Sequence, residues 1–74
     1  MDTKFRRHQK VILLRLPDED HIEHWVEDAK LKSGMKGKIN VILPNGTYHV
    51  EIYDEEGEVV AYVAVDEESI KPAE

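Results

Sequence analysis

Two histidines three residues apart, His21 and His24, stand among Glu23, Glu27 and Asp28 in the stretch HIEHWVED. Imidazoles with carboxylates are a ligand set for zinc and similar ions, but a closed structural site needs four ligands converging on one point. HIEHW also lacks the His-Glu-x-x-His spacing of a zinc-hydrolase helix. A solvated acidic surface accounts for these residues, so no metal and no cofactor is expected. The hydroxyls of Thr3, Ser33, Thr47 and Ser69 lie in no strand-to-helix elbow and have no histidine at an evident position, which speaks against nucleophilic catalysis. GMKG holds two glycines three apart, enough for a tight turn and too few for a phosphate-cradling loop. Asp54-Glu55-Glu56 and Asp66-Glu67-Glu68 supply paired acids, yet paired-carboxylate catalysis needs one acid kept protonated by burial across a pocket. A chain of 74 residues has little volume for such a pocket. The expectation is a protein that is not an enzyme.

The elements that would carry these residues follow from periodicity. HQKVILLRL, residues 8–16, is rich in branched apolar residues and stops at Pro17, as a first strand should. In the next segment Ile22, Trp25, Val26 and Ala29 recur at helical spacing, Asp20 and Glu23 fit a capping box, and Gly34 can end the element. This predicts a helix over 19–32 with Trp25 on its packing stripe. From Lys38 onward the period is two. Asn45-Gly46 is a hairpin signal, and a two-residue loop there would pair Leu43 with Tyr48, Val41 with Val50 and Ile39 with Ile52. A four-residue loop at 54–57 would then pair Ile52 with Val59 and Val50 with Ala61. On that register Ile42, His49 and Tyr62 form a row on the opposite face, with Asn40, Glu51 and Val60 as the next row.

A meander of this kind, with the first strand and a short closing piece at Ile70-Lys71-Pro72, makes about five strands, enough to curl into a small barrel. Residues 1–7 and 72–74 are expected to be mobile ends of one domain spanning 1–74. No cysteine is present, no apolar run is long enough for a membrane span, and no targeting segment is visible, so the expected location is cytoplasmic.

Charge narrows the partners. The net charge is −6, but residues 1–15 carry five Lys/Arg against Asp2, whereas residues 39–74 carry Lys71 alone against nine acids. The acidic half repels phosphates, which disfavours nucleic acid and anionic membranes as partners. Only the basic arm with Lys4, Arg6, Arg7 and Lys10 offers them a contact, and a short charged terminus is more often a solvated end.

The run GMKGKINVILPNGTYHVEIYDEEGEVVAYVAVDEESIKP, with KVILL upstream, resembles a family of small uncharacterised bacterial proteins with an SH3-like barrel, a domain of unknown function distantly like KOW-type modules. Gly34, Gly37, Gly46, Tyr48, Val50, Glu51, Asp54, Gly57, Glu68, Ile70 and Pro72 carry the resemblance. Two departures stand out: Ile52 sits where an aromatic is common, and the segment from Pro17 to Lys32 is longer than the usual loop. The resemblance implies a mainly β protein, a five-stranded SH3-like barrel with one helical insertion between the first and second strands, and no established activity. The functional expectation is therefore a non-catalytic protein-interaction module. Its partner-binding residues would be Ile42, His49, Val60, Tyr62 and Trp25, its partner is not named by the sequence, and self-association as a homodimer is one way to cover the second apolar face. The alternative is a KOW-like nucleic-acid accessory domain using Lys4, Arg6, Arg7 and Lys10.

Overall fold

The computed structural model describes residues 4–73. It is mainly β, with strands β1 (Lys10–Leu13), β2 (Ile22–His24), β3 (Lys36–Leu43), β4 (Thr47–Tyr53), β5 (Val59–Asp66) and β6 (Ile70–Pro72). All pairings are antiparallel, in one unclosed sheet of order β2-β5-β4-β3-β1-β6. Single turns of 3-10 helix at Glu19–His21 and Glu67–Ser69 are the helical content besides the Pro44–Gly46 turn. A curled five-stranded barrel with a helix is thus replaced, among the described residues, by six strands without one.

Residues 19–32 do not form the expected helix. Their Ile, Val, Trp, His and Asp are indifferent helix formers, and a segment of this length is marginal as a helix without a large packing face. The edge of β5 offers more. Ile22, Glu23 and His24 pair with Val63, Tyr62 and Ala61, and the N–H groups of Trp25 and Val26 both donate to Val60 O at 3.0 Å. Covering an open edge satisfies backbone groups that a helix would have left unpaired.

The β3–β4 hairpin corrects the predicted register by one residue. Asn45 and Gly46 both take positive φ, as an Asn-Gly turn requires, but Leu43 pairs with Thr47, so the loop also contains Pro44. Proline has no N–H to give the ladder, which explains its exclusion. The shift turns Ile42 toward Tyr48 and the core, and turns Val41 outward to 42% exposure. A bulge between Ile39 and Val41 then restores the pattern, so that Ile39 faces Val50 inside. At the next turn Tyr53 pairs with Val59, and past a bulge at Val60 Ile52 pairs with Ala61 and Val50 with Val63. Beyond the bulge the pairing is two residues from the expected register, an even shift that leaves Val50, Ile52, Ala61 and Val63 on the core face. Asp54 organises this turn, its Oδ1 accepting from the N–H groups of Glu56 and Glu58 at 2.9 Å each.

The amino-terminal arm, expected to be mobile through residue 7, is anchored within its described part. Phe5 is 1% exposed, edge-on to Tyr48 at 5.4 Å between ring centroids. Tyr48 Oη accepts from the backbone N–H groups of Lys4 and Phe5, and His8 N–H donates to Ile39 O. At the other end Pro72 pairs with Val11 in β6, and Ala73 N–H donates to Lys10 O. Residues 1–3 and 74, also expected to be mobile, lie outside the described residues.

Candidate protein-interaction surface

Directly opposed residues in an antiparallel ladder share a face, so the register defines what the outer surface carries. With Val50, Ile52, Ala61 and Val63 turned in, Glu51 and Tyr62 of the same strands turn out. Tyr62 sits at the centre of an aromatic strip. His49 stacks on it at 5.4 Å and 14° between ring planes, and Trp25 meets it edge-on at 5.8 Å and 90°. Both geometries are favourable for aromatic pairs. Asn40 Nδ2 lies 3.3 Å from His49 Nδ1, which accepts its proton when the neutral ring carries its own on Nε2. The bulge that restores the core register is also what places Asn40 there.

Trp25 reaches the strip because β2 lies on β5 as a strand, with the two backbone bonds to Val60 O fixing the chain just past it. It covers one side of Tyr62 and itself remains 67% exposed. Of the expected partner-binding residues, the structure therefore brings together His49, Tyr62 and Trp25. Ile42 and Val60 are on the core side, Val60 within the buried cluster and Ile42 packed against it. Val41, which the expected register had turned inward, takes the outward place opposite His49. The missed signal was Pro44 beside Asn45-Gly46, which lengthens the loop.

Beside the strip Tyr53 donates a 2.6 Å hydrogen bond to Glu51. Burial first, then that bond and the carboxylate's charge, push the Tyr53 phenol up to about 12. A cleft next to it is bordered by Lys10, Ile12, Lys36, Lys38 and Lys71. Lys4, Arg6, Arg7 and Lys10 are all exposed, the first three around the buried Phe5.

The other chemistry-bearing residues have structural places. Ser69 Oγ donates to Asp66 Oδ1 at 2.8 Å and accepts from Arg15 Nε at 3.3 Å, tying the exit of β1 to the turn before β6. Arg15 also lies 3.6 Å from Glu68, an exposed pair of small energetic weight. Among the described residues no three His, Asp or Glu side chains group so as to hold a metal ion, His21 and His24 included. No helix among them is long and apolar enough to cross a membrane. No family model matches the chain, and no curated protein or solved structure matches it either.

Proposed function

We propose that the chain is a non-catalytic protein-interaction module of the SH3-like kind, acting in the cytoplasm, whose docking surface is the strip Trp25, Tyr62, His49 and Val41. The observation that carries this reading is the exposure of Trp25. The sole tryptophan of a small domain is held two-thirds open against a tyrosine on the sheet's outer face, while a core of ample apolar residues closes without it. A large ring fixed in place and still open to solvent is the type of side chain that anchors protein interfaces, since little freedom is left to lose on binding. The SH3-like reading is supported by β6, which follows a single 3-10 turn and returns to pair with β1.

The test is photocrosslinking in the native cell with a reactive residue at Val41, scored against the same residue at Glu56 on the far loop. The reading requires a protein adduct at position 41 that is lost on Tyr62→Lys with the fold intact by circular dichroism. Equal adducts at both positions, or indifference to Tyr62→Lys, overturns it.

A second reading is favoured by one observation, the anchoring of Phe5. It holds Lys4, Arg6 and Arg7 at a fixed place on the domain, so that a nucleic-acid backbone would meet an ordered basic arm with Lys10 further along it. Binding to single- or double-stranded nucleic acid that falls steeply with salt and disappears on Arg6→Ala with Arg7→Ala would support it. Its absence at physiological salt removes it.

A further inference from the structure

The pairings place one uninterrupted row across five strands of the outer face. Lys10 of β1 opposes Lys38 of β3, Lys38 opposes Glu51 of β4, Glu51 opposes Tyr62 of β5, and Tyr62 opposes Glu23 of β2. On β1, β3, β4 and β5 the neighbours Val11, Gly37, Ile52 and Ala61 are buried, while Lys10 and Glu23 at the two ends of the row are exposed and the residues between them half-buried, so the row lies on the outer face. Its charges are sorted rather than alternated. Both lysines are at one end, with Lys36 and Lys71 flanking Ile12 in the next row, and both glutamates are on the Tyr62 and Trp25 side. Lys10 directly opposite Lys38 is a like-charge pair, which costs sheet stability. None of these lysines makes an ion pair among the described residues, and Glu51 is instead hydrogen-bonded to Tyr53.

A sorted row is self-complementary. Rotation by two-fold symmetry about an axis parallel to the strands and lying between β3 and β4 reverses the row end for end. Lys38 then falls on Glu51 of a second copy, and Glu51 on its Lys38. Lys10 falls on the second copy's Tyr62, with Trp25 beside it, a cation over aromatic rings. Packed sheets stand about 10 Å apart, which an extended Lys and Glu span together. An isologous interface requires this reciprocity, and opposite blocks of charge fix its register.

Resting on the reading of this face as a docking surface, we infer that its occupant is a second copy of the chain, packed outer face to outer face with Lys38 on Glu51 in both directions. Within one chain Lys38 has Glu51 opposite it but Lys10 has only Lys38; a second copy brings an aromatic ring to Lys10 and a further acid to Lys38 at the symmetry-related positions.

Because each copy carries a net charge of −6, salt weakens the overall repulsion and the local attraction together, so charge exchange is the decisive experiment. Sedimentation equilibrium of the full chain should show a dimer. Lys38→Glu alone and Glu51→Lys alone should each weaken it by at least about tenfold, since each places like charges face to face twice. An equimolar mixture of the two variants, one of them isotope-labelled for native mass spectrometry, should recover a dimer with one chain of each kind. Circular dichroism checks that both variants are folded, and Lys10→Glu, which replaces the cation over the second copy's Tyr62 and Trp25 rings with an acid at an exposed position, should weaken the dimer as well.

A wild-type monomer, single variants that still dimerise, or a mixture that stays monomeric each overturn the inference. The docking reading fails separately. A monomer whose crosslinked foreign partner is lost on Tyr62→Lys keeps that reading and discards the second copy.

Discussion

The two faces of β3, β4 and β5 are made from alternate residues of the same strands and differ in kind. Inside, Ile39, Tyr48, Val50, Ile52, Ala61 and Val63 are fully or almost fully buried, and no buried side-chain polar atom among the described residues lacks a partner. Outside, Lys38, Val41, His49, Glu51 and Tyr62 keep contact with water, in ring contacts, hydrogen bonds and sorted charges. The inner face supplies the free energy of folding, because apolar burial scales with area removed from water. The outer face contributes little of that and is left available for specificity. Substitutions on the two sides should therefore separate stability from association.

The largest effect belongs to the inner face at its least obvious member. Phe5→Ala should cost about 3–5 kcal/mol in urea unfolding, a large share of what a domain of this size has, because it empties a site beside Tyr48 and frees the arm. A loss below about 1 kcal/mol would mean that the arm is not part of the core. Gly37→Ala comes next. A Cβ there would stand 2.5 Å from Glu51 O and 2.8 Å from Val50 Cγ1, so β3 and β4 must part to admit it. Overpacking of this kind costs about 1–3 kcal/mol, and thermal melting should show it.

The outer face should give the converse. Trp25→Ala, removing the largest exposed ring, should change unfolding free energy by no more than about 0.5–1 kcal/mol while lowering crosslinking from position 41. A loss equal to that of Phe5→Ala would erase the distinction between the faces. The smallest effect is a titration. Ultraviolet absorbance should show Tyr53 ionising near pH 12, and Glu51→Gln should bring that step down. Its folded value lies above the ordinary 10, so the associated stability is fully present below about pH 10 and is lost as pH rises through 12. Ionisation of Tyr53 with the free phenol would show that Glu51 is not its acceptor.

Legibility varied along the chain for physical reasons. Strands β3, β4 and β5 and the closing piece at Ile70–Pro72 were evident from period two and turn residues, and the core set of β4 and β5 survived an error in register because that error was even. The error at Pro44 was odd and exchanged Val41 with Ile42, removing one expected surface residue and supplying another. His49 and Tyr62 share a face in the sequence pattern of β4 and β5, but the contact of Trp25 with Tyr62 depends on β2 being a strand. Phe5 was read with its charged neighbours as part of a solvated end, since one apolar residue in a basic arm has no periodicity to betray it.

By itself the sequence determined a small, mainly β domain, the alternation that makes two faces on β4 and β5, the turn at Asn45-Gly46, and the uneven placement of charge. These are local properties, set by the two-residue repeat of a strand and by the φ that particular residues accept. Only the tertiary structure decided that residues 22–24 complete an edge of the sheet instead of a helix, that Phe5 enters the core, and that a bulge at Asn40 aligns Lys38 with Glu51. Each of those outcomes depends on a distant partner: an unpaired β5 edge, the ring and hydroxyl of Tyr48, and a neighbouring strand against which register is measured. Local propensity is worth tenths of a kcal/mol per residue, and a backbone partner or a filled cavity is worth more.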